Sequence, residues 1–497
     1  MKMIKNNKWL LLVALTIVAC SDDETVVVNN TSDGLPLTAG SADFSNYVSL
    51  GNSLTAGYCD NALFIEGQAN SYPAILADQF ALVGGGEFKI PYTNDNTGGL
   101  LLGGNVIAGP RLYFNGAGPA PVTGIPTTEV STVLAGPFNN MGVPGAKSFH
   151  LLAPNYGNVA GVATGQANPY FVRFASSPST TILADAAAQD PTFFSLWIGN
   201  NDVLGYATSG GSGTNQIGNF NPATYGPNDI TDPNVFANVY TALVDGMTAN
   251  GAKGVVANLP YVTTIPFFTT VPHNPVPLNA TTAAQLNAGF AAYNNGLLFA
   301  QSVGLLTADE VTRRTISFTA STTNRVVMVD SYLTNLAAYG IPSYRQATSE
   351  DLVVLPARNF IGTVVGGNPA QINGVSVPLA DNWILSKDEI LEVKTATDAY
   401  NATIQSIASA KGLAFVDANA LMTQVANGGI TANNFTVTSN YVTGGGFSLD
   451  GVHPSPRGYA LISNEFIKAI NATYGSNFKG VSLGSYRILY PENPDNF

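Results

Sequence analysis

Four short apolar runs, separated by segments of helical periodicity, set the tightest limit on how this chain can fold. The first is Phe44 to Leu50, which enters Gly51. The second, Thr192 to Ile198, ends at Gly199, the third, Gly254 to Leu259, ends at Pro260, and the fourth is Leu413 to Val416. Between them the apolar spacing changes from runs to turns of a helix. Residues 71–82 place Ala74, Ile75, Leu76, Gln79 and Phe80 at helical intervals, and Ile182 to Ala188 and Val235 to Thr248 read the same way. Lys387 to Lys411 follows Ser386, carries Asp388 and Glu389 in its first turn and meets Gly412 as a stop, which are start and stop signals of a helix. Asn464 to Thr473 lies in a last helix. Strands that alternate with helices require parallel βαβ units and a doubly wound sheet. Such sheets hold ligands at the carboxyl ends of their strands.

Three stretches break this rhythm. Residues 84–138 are rich in Gly, Pro and Thr and read as an insertion of loops and hairpins. Residues 205–232 form a Gly/Asn-rich loop, and residues 261–385, with runs such as Val326 to Val329, read as a large insertion or subdomain. The chain has 497 residues, enough to bury a large core without crosslinks. Only 10% are charged, against about 25% in a typical soluble protein. With 51 Gly and 29 Pro, the composition suits a loop-rich protein that works outside the cytoplasm. The net charge of −12 repels phosphate backbones and argues against nucleic acid as a partner. The histidines are His150, His273 and His453 and the cysteines Cys20 and Cys59, too few and too scattered for a Cys/His zinc site.

The first residues give an address. Lys2, Lys5 and Lys8 precede the apolar run Trp9 to Ala19, which has the length of a secretory signal and is too short to span a bilayer. The run ends Leu15-Thr16-Ile17-Val18-Ala19-Cys20, which resembles the bacterial lipobox. That resemblance implies a signal peptide over 1–19, lipidation of Cys20, and a lone thiol at Cys59. An ordinary signal peptide with a chance cysteine is the alternative. Ser21-Asp22-Asp23-Glu24 follows and resembles the export signal of Bacteroidetes surface lipoproteins. Residues 20–40 are polar and small, as a tether requires. The expected location is the outer membrane, facing the periplasm or the cell surface, with the membrane met through the N-terminal lipid.

Four further segments carry chemistry. Gly51-Asn52-Ser53-Leu54-Thr55-Ala56-Gly57-Tyr58 follows the first strand, so Ser53 sits on a tight turn at the sheet's edge; an ordinary turn would look the same. Asn140-Met141-Gly142-Val143-Pro144-Gly145-Ala146 could aim the Gly145 N–H at a developing oxyanion, or could be a plain turn. Gly199-Asn200-Asn201-Asp202 closes the second strand; the Asn201 amide could donate to the same oxyanion, or form an Asx turn. In Asp450-Gly451-Val452-His453-Pro454-Ser455, two titrating residues three apart can curl until the carboxylate meets the imidazole Nδ1 and leaves Nε2 free as a base.

Taken in this order, the four segments resemble the four blocks of the SGNH (GDSL-like) hydrolase superfamily, from about residue 44 to 475. The resemblance implies a three-layer α/β/α, flavodoxin-like fold with a five-stranded, mostly parallel sheet, in one domain over 41–497 interrupted at about 84–138 and 261–385. It implies a carboxylic ester hydrolase with no cofactor and no metal. Ser53 is then the nucleophile, His453 the base and Asp450 its orienting acid, with Gly145, Asn201 and the Ser53 N–H as oxyanion donors. One position departs from the family, which usually has Asp where this chain has Asn52. The ester substrate remains open between acyl lipids or small esters and acetylated glycans. Two other readings compete: a surface-anchored binding lipoprotein with a decayed site, and a metal hydrolase built on Asp202, Asp450 and His453.

Overall fold

The computed structural model describes residues 34–493. The signal segment 1–19, Cys20 and most of the tether lie outside the described residues. Five strands form the central sheet: β1 (Tyr47–Gly51), β2 (Asn140–Gly142), β3 (Phe193–Trp197), β4 (Lys253–Ala257) and β5 (Ala414–Val416). Their order is β5-β4-β3-β1-β2, and every pairing is parallel. The topology is doubly wound and flavodoxin-like: the chain starts in β1, goes to one side for β2 and returns to the other for β3. β1 and β3 are buried along their whole lengths, because helices cover both faces of a parallel sheet. Polar side chains on these strands are paired: Ser195 Oγ lies 2.7 Å from Tyr47 Oη.

The helices of interest are α1 (Ser53–Ala56), α2 (Tyr72–Ala81), α3 (Ile182–Ala187), α4 (Asn201–Thr208), α5 (Pro233–Thr248), α6 (Ala280–Ser302), α7 (Lys387–Lys411), α8 (Ala418–Ala426) and α9 (Pro456–Tyr474). α2 and α9 pack together on one face, and α3, α5 and α7 on the other, giving three layers. The helix ends follow from their residues. Ser386 caps α7 and Glu389 reaches back to the Ser386 N–H, while Gly412 ends the helix in the left-handed region at φ 62°. Ser455 caps α9, with Pro456 in its first turn.

Four of the five strands coincide with the apolar runs. β2 does not: its three residues are Asn, Met and Gly, too short and too polar to register as a strand. It is held because Ser49 to Gly51 of β1 pair with Asn140 to Gly142 in register. Within 84–138 lie two hairpins, Leu100–Leu102 with Asn105–Ala108 and Leu112–Phe114 with Pro119–Pro121. Residues 261–385 hold α6, several two-stranded ladders and a small separate core around Leu297, Val311 and Ile341. Among the described residues no helix is long and apolar enough to cross a membrane.

Candidate active site

The strand order reverses between β1 and β3, and the space outside their carboxyl ends is where doubly wound folds bind ligands. Ser53 is the first residue of α1, directly beyond β1. Its turn is tight: a side chain at Gly51 would bring a Cβ to 2.5 Å from the Trp197 carbonyl oxygen and 2.0 Å from Thr55 Oγ1. Asn52 caps the turn, its Oδ1 accepting from the Leu54 N–H at 3.0 Å. Its Nδ2 reaches Asn200 Oδ1 at 3.4 Å, so the asparagine supplies both an acceptor and a donor where an aspartate would only accept.

The loop before α9 brings His453 across to this turn. His453 Nε2 lies 2.8 Å from Ser53 Oγ, and His453 Nδ1 lies 2.8 Å from Asp450 Oδ2. A carboxylate at Nδ1 keeps the proton there and leaves Nε2 as the acceptor facing the serine hydroxyl. Asp450 Oδ1 accepts from the N–H groups of Val452 and His453, both at 2.8 Å, and from Ser448 Oγ at 3.0 Å. Asp450 Oδ2 also accepts from the Asn61 N–H at 3.1 Å. Burial alone would raise the Asp450 carboxyl, but the His453 charge and these donors outweigh it and hold the group below its ordinary value.

The two middle segments are stitched to each other. Gly145 lies in an exposed turn at φ 81°, a conformation natural only to glycine. Asn201 Nδ2 donates to the carbonyl of the next residue, Ala146, at 2.9 Å. Asp202, fully buried, accepts from the Ser148 N–H at 2.8 Å and from Ser148 Oγ at 2.7 Å. The start of α4 is therefore fastened to the Gly145 turn twice. The N–H groups of Ser53 and Gly145 donate to no partner among the described residues, and the second Asn201 amide hydrogen is also uncommitted. Asp202 is engaged with Ser148 and does not join Asp450 and His453; no metal-binding group of three or more His, Cys, Asp or Glu occurs among the described residues.

Several residues at the site have no role assigned from the sequence. Tyr58 lies against His453, with ring centroids 4.7 Å apart. Asp60 and Asn61 adopt positive φ of 50° and 64°, and their turn meets the triad loop: the Asp60 N–H donates to Ser448 Oγ at 3.0 Å, and Asp60 Oδ1 accepts from the Leu449 N–H at 2.9 Å. Burial, with Asp450 nearby, pushes the Asp60 carboxyl up to about 7. An Asp-Asn pair is what tolerates a left-handed turn, which is the one signal the sequence offered. The remaining histidines lie elsewhere. His150 accepts from the Lys147 N–H at its Nδ1 and stacks on Tyr156, and burial pushes it down to about 4. Cys59 is a buried free thiol beside Phe64 and Tyr490.

A cavity of about 100 Å³ begins at Ser53 and His453. Polar side chains line it at that end only: Asn52, Ser53, Asn200, Asn201 and His453. Gly145 is not among its lining residues.

No family model matches the chain, and no curated protein matches it. Among solved structures it is similar to an acetylxylan esterase from Geobacillus stearothermophilus, at 10% identity and a TM-score of 0.31 over 86% of this chain and 95% of that one. It is also similar to an extracellular lipase from Streptomyces rimosus, at 12% identity and a TM-score of 0.28 over 86% of this chain and 99% of that one. At such scores the chemistry has to be read from this chain's own geometry.

Proposed function

We propose that the protein is a serine hydrolase of carboxylic esters, of the SGNH type, working through Ser53, His453 and Asp450. The observation that carries this reading is the unbroken hydrogen-bonded line from Ser53 Oγ through both ring nitrogens of His453 to Asp450, at the switch point of the sheet. Nothing in the stability of the loop requires that line to end on a serine at a glycine-flanked turn.

His453 takes the Ser53 proton as Ser53 Oγ attacks the ester carbonyl. The carbonyl oxygen becomes an oxyanion, and the Ser53 N–H, the Gly145 N–H and the Asn201 amide are its donors. The tetrahedral species collapses, the alcohol leaves with the proton from His453, and an acyl-serine remains. Water, deprotonated by His453, then attacks the acyl carbon and releases the acid. Asp450 stays ionised throughout and steadies the imidazolium. The N-terminal segment adds a location to this reading: lipidation at Cys20 would hold the enzyme at the outer membrane, on its periplasmic or outer side.

Replacing Ser53 by Ala is expected to abolish turnover of p-nitrophenyl acetate, and a fluorophosphonate probe is expected to label the wild type at Ser53. Full activity in Ser53→Ala would sink the assignment. A folded wild type that takes no label and turns over no ester would be a binding lipoprotein instead.

A further inference from the structure

We infer that the cavity beside Ser53 is an acyl-chain tunnel that selects esters of acids with eight or more carbons, with Met422 on α8 as a residue that sets chain length. This rests on the ester-hydrolase reading and narrows it to an acyl class. The lining follows the sheet edge strand by strand. Ser53 comes after β1, Asn200 and Asn201 after β3, Pro260 and Val262 after β4, and Leu421, Met422 and Val425 on α8, after β5. β5 is three strands from β1 in the sheet. At about 4.8 Å per strand, the α8 end of the cavity lies on the order of 14 Å from the nucleophile's strand. An acetyl group would occupy only the first part of that distance.

The chemistry of the wall points the same way. Beyond the polar end it is built from side chains such as Val262, Ile265, Leu421, Met422, Val437 and Leu461. No Asp, Glu, Lys or Arg lines it, and the one indole N–H present, on Trp197, is already bonded to the Asn258 carbonyl at 3.0 Å. Sugar hydroxyls placed there would lose water and find no partners. A methylene chain would lose nothing and would cover apolar wall. The acetyl-glycan substrate, which needs a polar groove, does not suit this space. Met422 and Val437, the latter from the hairpin Ile430–Ala432 with Phe435–Val437, are both buried, so packed side chains form the wall at the α8 end.

The experiment is a p-nitrophenyl ester series from two to twelve carbons on the purified protein, with decanoate binding measured by calorimetry on the Ser53→Ala variant. kcat/KM is expected to rise about fourfold per methylene, the equivalent of ~0.8 kcal/mol, giving a preference on the order of 10³-fold for eight carbons over two. Met422→Trp should cut that preference at least tenfold and weaken decanoate binding in the Ser53→Ala background. Met422→Ala, which introduces no bulk and so tests the same point if the Trp variant fails to fold, should move the optimum to longer chains. Ester turnover with a strict acetate preference and no decanoate binding would overturn the tunnel and leave the hydrolase standing. Decanoate binding without turnover of any ester would do the reverse.

Discussion

Asp60 and Asp450 share the turn at 448–450, and their surroundings push them in opposite directions. Asp450 is held below its ordinary value despite burial, so its contribution to stability is present above about pH 4 and is lost as pH falls further. Asp60 is raised to about 7, chiefly by burial. Its neutral form suits the fold, so its contribution is complete below about pH 4 and is lost as pH rises through 7. Asp60→Asn keeps an acceptor for the Leu449 N–H but carries no charge. Its melting temperature should therefore gain on the wild type between pH 5 and pH 8; parallel curves would mean that Asp60 is not strained by ionisation. At the oxyanion, Asn201→Ala should lower kcat by roughly 10²–10³-fold, the usual loss for one such donor, with KM little changed. A large rise in KM at constant kcat would assign the amide to substrate binding instead.

At the scale of elements, the Ser53 turn is set by its neighbours. A Cβ on Gly142 of β2 would stand 2.3 Å from the Ala56 backbone nitrogen, so the strand lies hard against α1. Gly142→Ala should push α1 away, and esterase activity should fall by at least tenfold while far-ultraviolet circular dichroism stays unchanged; full activity would show that the turn tolerates displacement. β2 is also where the sequence was hardest to read. β1, β3, β4 and β5 announced themselves as apolar runs because both of their faces are buried, and the long helix α7 did so through its capping residues. β2 has no such pattern, since its pairing with β1 makes it a strand. For the same reason the triad was legible and its supports were not. Ser53, Asp450 and His453 stand in recognisable local patterns. Tyr58, Asp60 and Asn61 meet His453, Asp450 and their loop only through tertiary contacts across nearly 400 positions. α6 was hidden too, in a stretch of 23 residues without a charge that reads as insertion.

At the scale of the whole molecule, distant parts converge on the loop that carries His453. The segment 261–385 reaches it: the Phe267 N–H donates to the Gly451 carbonyl at 2.9 Å, and Leu355 lies against Gly451. The C-terminal tail is fastened to the segment that follows the Ser53 turn. Arg111, fully buried, donates to the carbonyls of Pro491 and Glu492 at 2.7 and 3.0 Å, and Tyr490 packs on Phe64. Deleting residues 490–497 would remove the two acceptors of Arg111 Nη2 and leave those of Asn96 and Leu112, and calorimetry should record a drop in melting temperature; an unchanged melting curve would mean the clamp is idle. The separation between serine and histidine has a temporal side as well. The two partners are 400 residues apart, and a ribosome adds about 5–20 residues per second. For roughly 20–80 s of its making, the growing chain holds its serine with no base to activate it. On the proposed reading, the hydrolase is thereby inert while it is being synthesised, and its serine gains its base only when the chain just before the last helix is in place.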